Sequence, residues 1–173
     1  MKMLLYHIIL FFCCPLLLHS QIGDRTQTRF VAGIAVPELV HLGANIDLGN
    51  YNQIGASAGI LLFYGYHPTF NIENRFYLTS LNDNSKRTKW FIRQAGSYFF
   101  IIDEDIGGDY QYSLLASVGT DLLSKSGKNG WTIDLGCFIA FPKKGSLPPN
   151  ENHRIGPSIR IQYFSYFKKR KFG

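Results

Sequence analysis

From Ile155 to Phe167 apolar side chains take every second position: Ile155, Pro157, Ile159, Ile161, Tyr163 and Phe167, interrupted only by Ser165. The alternate set is Gly156, Ser158, Arg160 and Gln162, then Phe164 and Tyr166. A period of two is that of a strand, whose successive side chains point to opposite faces. The same alternation recurs upstream. Trp131, Ile133, Leu135, Cys137, Ile139 and Phe141 oppose Thr132, Asp134, Gly136, Phe138 and Ala140. Tyr110, Tyr112, Leu114, Ala116, Val118 and Leu122 oppose Gln111, Ser113, Leu115, Ser117, Gly119 and Asp121, and Ile72, Phe76 and Leu78 oppose Glu73, Arg75, Tyr77 and Thr79. The run through Trp90, Ile92, Tyr98 and Phe100 is the weakest, because Gln94 and Gly96 fall on its apolar face; a bulge is one repair.

Eight such runs are predicted: Arg29–Val36, Leu39–Leu48, Gln53–Tyr66, Phe70–Leu81, Thr88–Ile102, Asp109–Leu123, Gly130–Phe141 and Arg154–Phe167. Turn chemistry separates them, as in Gly49-Asn50, His67-Pro68 and Asn82-Asp83-Asn84-Ser85. Most exceed the roughly 5–6 residues of a globular strand and suit a tilted membrane strand of about 9–11 residues plus its rims. An even number lets an antiparallel sheet close with both chain ends on one side, and closure removes unpaired edges. The predicted fold is all-β: an eight-stranded antiparallel closed transmembrane β-barrel, too narrow to leave a wide pore once its interior is filled.

A secreted soluble lipocalin-like barrel binding an apolar ligand is the rival. It would turn the apolar set inward and show water a set rich in Lys, Glu and Thr. Here the second set is mostly Gly, Ala and Ser with isolated charges, which suits a crowded lumen. Aromatic placement adds a second check. Phe30, Trp90, Trp131 and Phe167 fall near one rim; Tyr64, Tyr98, Phe100, Tyr110 and Phe141 fall near the other, as two girdles at two membrane interfaces.

The first 20 residues stand apart. Lys2 is followed by an apolar run from Met3 to Leu18, broken by His7 and Pro15, and Ser20 precedes Gln21, the pattern of a signal peptide cleaved after Ser20. The run is shorter than the roughly 20 residues of a spanning helix. Cys13 or Cys14 as a lipidation site is disfavoured, because Phe12 or Cys13 would stand where a small residue is required. Residues 21–28 read as a lead-in, 29–167 as the barrel and 168–173 as a basic tail. Removing the leader leaves 153 of 173 residues, with 17 Lys and Arg against 12 acids. One cysteine then remains, Cys137, so no internal disulfide can form. An exported chain does not meet nucleic acid, and the basic tail is instead a candidate for contact with anionic lipid.

The Ser20-Gln21 junction, the segment Ile72-Glu73-Asn74-Arg75-Phe76-Tyr77 and the terminal strand Ile161-Gln162-Tyr163-Phe164-Ser165-Tyr166-Phe167 resemble those of small outer-membrane β-barrel proteins of Gram-negative bacteria, in particular the porin-like barrels of the Bacteroidota. The resemblance covers Arg29 to Phe167. It implies an outer-membrane location, surrounding lipid as partner, and a terminal aromatic recognised by the barrel-assembly machinery; Phe167 and Phe172 are the candidates, since the chain continues through Lys168-Lys169-Arg170-Lys171. The family includes structural, adhesive and transport members, and a fold does not fix a function.

Candidate chemistry is sparse. The lumen is expected to receive Asp47, Glu73, Arg75, Lys89, Arg93, Asp121, Asp134 and Arg160. By strand position Glu73 and Arg75 enter from one end, Arg93 and Arg160 lie near mid-height, and the other four gather toward the opposite end. Buried charges must pair, so a salt-bridged plug is favoured over a narrow conduit for small solutes. Asp103, Glu104, Asp105 and Asp109 lack the spacing of a calcium loop. Glu151, His153 and Ser158 invite a hydrolase reading, since some outer-membrane barrels deacylate lipid A. Ser158 shares the inward face of Arg160, and the His-x-Ser spacing of those enzymes is absent. His41 and His67 have no partners at ligand spacing, so neither metal nor cofactor is expected. Pro142–His153 is the one long outer loop, and its Pro148-Pro149 is the candidate contact site. The expectation is a non-enzymatic integral outer-membrane protein, structural or a narrow conduit.

Overall fold

The computed structural model describes residues 27–36, 40–61, 67–81, 83, 87–101, 109–141 and 154–167. They form eight antiparallel strands: β1 (Thr28–Val36), β2 (Val40–Leu48), β3 (Asn52–Leu61), β4 (His67–Tyr77), β5 (Thr88–Ile101), β6 (Asp109–Leu123), β7 (Asn129–Phe141) and β8 (Arg154–Tyr166). Each pairs with its neighbours in chain order, and β8 returns to β1 from Arg29↔Tyr166 to Val36↔Ile159, closing the barrel. At the end where β1 begins and β8 finishes, positive-φ glycines turn the chain: Gly49 (φ 77) between β2 and β3, and Gly127 (φ 67) between β6 and β7.

Three features differ from the sequence expectation. The fourth strand starts at His67, not at Phe70 after a His67-Pro68 turn. Pro68 pairs with Ile60 of β3, while the ladder to β5 begins one residue later at Thr69↔Phe99. A proline without N–H is tolerated at such a one-sided position. The strand also stops at Tyr77, four residues early. The Leu81 amide then bonds the Asn50 carbonyl at 2.6 Å, and Leu81 is buried against Tyr77 and Phe91. Burying Leu81 under the barrel end competes with extending the strand, and burial wins. Finally, β5 has no bulge. Its register is unbroken against β4 from Thr69↔Phe99 to Tyr77↔Phe91, and against β6 from Thr88↔Leu122 to Ile101↔Asp109. Gln94 and Gly96 simply stay on the outer face, half-buried. The third run beyond Leu61 lies outside the described residues.

The burial is inverted relative to a water-soluble domain. Among the described residues, 23 polar or charged side chains are buried against nine apolar ones, while 25 large apolar side chains are exposed. Leu135, Ile155, Ile34 and Leu42 all face outward at more than half exposure. Continuous apolar wall outside and polar side chains inside is the arrangement lipid selects.

Candidate functional site in the barrel lumen

All eight strands send polar side chains into one buried network. Its upper part is built on two acids. Glu73 of β4 meets Arg75 at 2.5 Å, Arg93 at 2.8 Å and Arg160 at 2.5 Å, and accepts a bond from Asn45 Nδ2 at 3.0 Å. Asp134 of β7 accepts from Arg160 Nε at 2.7 Å and lies 3.5 Å from Arg93. Arg93 and Arg160 therefore bridge the same two carboxylates, closing a ring of four charges across β4, β5, β7 and β8.

The lower part is built on Asp121 of β6. It accepts from Arg29 at 2.6 Å, from the Tyr77 hydroxyl at 2.7 Å and from Thr132 Oγ1 at 2.5 Å. Arg29 also donates to Gln53 Oε1 at 2.5 Å and to the Tyr77 hydroxyl at 2.8 Å, and Gln53 in turn donates to Asp47 at 2.5 Å. Arg75 links the two parts: it touches Glu73 and lies 3.9 Å from Asp121. Rings complete the filling, with Arg29 over Phe164 at 4.5 Å and Arg75 over Phe91 at 5.1 Å. Lys89 donates its ammonium to the Leu81 carbonyl and so tethers the cap below.

Every one of the eight charged residues read from the sequence as facing inward is buried. The three height zones expected for them are kept only in part: Asp47, Lys89 and Asp121 do gather at the lower end, but Asp134 stands with Arg160 in the upper part. Glu73 and Arg75 do not sit at a separate end; they contact Arg93, Arg160 and, through Arg75, Asp121. Counting positions along each strand neglects the tilt and stagger that closure imposes, which bring residues of unequal count to one level. Arg29 and Tyr77, central to the lower part, are not among the eight lumen charges named from the sequence, although alternation already puts Tyr77 on the face of Glu73 and Arg75. Parity held the signal for Arg29: if Phe30 belongs to the outer wall, its neighbour faces in. A Tyr77→Phe barrel should lose about 1–3 kcal/mol, because Asp121 and Arg29 each lose a buried partner; denaturant midpoints would measure it.

The aromatic positions divide. Phe30, Trp90, Trp131 and Phe167 are exposed on the outer wall near the end bearing both termini, joined there by Tyr163, whose ring meets Trp131 edge-on at 5.6 Å. Tyr98 and Phe141 are half-buried, and Tyr98 meets Tyr112 at 5.0 Å. Tyr64 and the side chains of Phe100 and Tyr110 lie outside the described residues, as do Glu151, His153, the loop containing Pro148-Pro149, the basic tail, and the Asp103-Glu104-Asp105 cluster with the Asp109 side chain. Ser158 is buried in the lumen, His41 Nε2 lies 3.1 Å from Gln162 Oε1, and Cys137 is exposed on the outer wall.

An apolar exterior around a charged, ion-paired interior defines the class: a closed eight-stranded transmembrane β-barrel. A carrier of apolar ligands would have these faces exchanged. No family model and no curated protein sequence matches the chain. Among solved structures it is similar to the N-terminal β-barrel domain of OprF from Pseudomonas aeruginosa, with a TM-score of 0.58 and 8% identity over 84% of this chain and 98% of that one. At that identity the likeness is one of fold.

Proposed function

We propose that the chain is an integral outer-membrane protein whose barrel is sealed by its own salt bridges and serves a structural rather than a catalytic role. The observation that carries this is the inverted burial, with ion pairs joining carboxylates and guanidinium groups at the centre of the lumen. Arg29, Arg75, Tyr77, Phe91 and Phe164 are each essentially without solvent contact, which supports a plug over a conduit for small solutes. The signal-like leader supports export, and the aromatic C-terminal strand supports insertion by an assembly machinery that reads such termini. The exposed Trp90, Trp131 and Phe167 would anchor one membrane interface.

Two measurements test the proposal. The protein should resist carbonate extraction from membranes and shift in gel mobility on heating; extraction into the soluble fraction would overturn it. In planar bilayers neither the native protein nor a Glu73→Ala/Arg75→Ala variant should carry single-channel current, and a clear rise in the variant would favour a conduit. Unaltered lipid A in cells with and without the protein is expected from the absence of a catalytic role.

A further inference from the structure

One cation of the lumen is left over. Arg29, Arg75, Lys89, Arg93 and Arg160 are buried together with Asp47, Glu73, Asp121 and Asp134, five cations to four acids. Each of the four guanidinium groups holds a carboxylate at 2.8 Å or closer. Among the described residues Lys89 holds none. Its ammonium donates to the Leu81 carbonyl, a neutral partner, while Asp121 and Asp47 are taken by Arg29, Thr132 and Gln53. A backbone carbonyl satisfies one of the three ammonium donors and leaves the charge unbalanced.

Lys89 is only 4% exposed, yet it lines a recess of about 820 Å³ at the end where β1 begins and β8 finishes. The β6–β7 turn brings Lys125 and Lys128 to the same recess, and the residue before β5 brings Arg87; all three are exposed. Asp83 is the one acid among the described lining residues, so the recess is strongly positive. Asn129 and Tyr166 add neutral donors. Low-dielectric walls focus the field of such a cluster into the opening. The level of Lys89 decides what can reach it. Its neighbour Trp90 is exposed on the outer wall at a membrane interface, so Lys89 stands at that height on the inner face. Water and its solutes come to it through the barrel mouth, whereas the strand wall separates it from lipid.

We propose that this recess binds a soluble phosphate compound, with the Lys89 ammonium as its buried contact and Arg87, Lys125 and Lys128 around it. A carboxylate brings a single charge, fewer than the four cations can meet. A phosphate group brings up to two charges and three acceptor oxygens, and the recess leaves room for a second such group. The bound anion supplies the counter-charge that the lumen lacks, which recovers the cost of burying Lys89 unpaired. The site lies below the ion-paired plug, and its occupation is independent of whether the lumen conducts.

The test is calorimetric titration of inorganic pyrophosphate into the folded chain in nonionic detergent micelles, which leave both barrel ends open and carry no phosphate. Saturable binding is expected, weakening as salt rises through about 0.1 M, where the screening length is about 10 Å. Lys89→Gln should weaken it about tenfold or more, the worth of a hydrogen bond to a charged group, and Lys89→Arg should restore most of it. Lys125→Gln with Lys128→Gln should weaken it about two- to fivefold, because those charges are exposed and screened. Asp83→Asn should tighten it. Heat-shifted mobility reports that each variant is folded, and the turn variants and Asp83→Asn decide the matter should Lys89→Gln fail to fold. Folded native protein that shows no saturable binding overturns the site. So does undiminished affinity in Lys89→Gln, which would leave only attraction by surface lysines. Phosphatidylglycerol retained in native mass spectrometry and not displaced by pyrophosphate would also overturn it, by placing a lipid headgroup there instead of a soluble anion.

Discussion

A barrel with Glu73→Leu should be less stable than the native one by about 3–5 kcal/mol, the cost of leaving buried charge uncompensated. Glu73 is 4% exposed and neutralises three guanidinium groups at once. Without it, Arg93 and Arg160 share Asp134, and Arg75 keeps only Asp121 at 3.9 Å. Five lumen cations, Arg29, Arg75, Lys89, Arg93 and Arg160, would then face three acids. The sign of the effect depends on charge balance more than on contact number. Adding Arg75→Met to Glu73→Leu removes a cation as well, and apolar replacement of a complete buried pair is often neutral. The double variant should therefore recover more than half of the loss. Urea midpoints of the heat-shifted species in vesicles would measure both. A single variant as stable as the native protein would mean that water already screens these charges, and the sealed lumen would be the wrong description.

The sequence carried the wall more clearly than the network. Alternation assigns each residue a face, and a one-residue slip would expose every charge to lipid, so parity alone separates Ile133 from Asp134 and Ile159 from Arg160. Eight strands and their closure followed from run number and length. Partnership did not follow. Glu73 and Arg160 lie 87 positions apart in sequence, and they meet only because the sheet curls back on itself with a particular stagger. Two local errors have the same origin. His67-Pro68 carries the chemistry of a turn and Leu78–Leu81 the composition of a strand. Pairing with β3 extends the first, and burial of Leu81 beneath Tyr77 and Phe91 ends the second. Gln94 and Gly96 looked like a fault in β5, but the unbroken ladder leaves them facing outward beside Asn74.

Closure itself depends on glycines at inward positions, and Gly136→Val should prevent the protein from reaching its heat-shifted folded form. Gly136 of β7 lies opposite Ser117 of β6. A Cβ added there would stand 2.5 Å from Ser117 Cβ and 2.6 Å from Ser117 Cα, and would also meet the Ala116 carbonyl oxygen. Two of those three atoms belong to the backbone of the neighbouring strand, which cannot swing aside as a long side chain can. Gly33 stands in the same relation to Gln162 across β1–β8, and Gly43 to Ser57 across β2–β3, so the sheet bends sharply at several seams. Overpacking of this kind costs about 1–3 kcal/mol and sometimes more. Gly136→Ala should fall in that range, and valine's two further methyl groups should exceed what the β6–β7 ladder can absorb. Gly127 provides the contrast. Its φ of 67 disfavours any side chain, but a Cβ there meets nothing within 4 Å. Gly127→Ala should therefore cost only the roughly 1–2 kcal/mol of a left-handed backbone and still fold. Gel mobility across the three variants tests the ranking. A folded Gly136→Val barrel with a native denaturant midpoint would mean that the strands close without the tight approach at this seam.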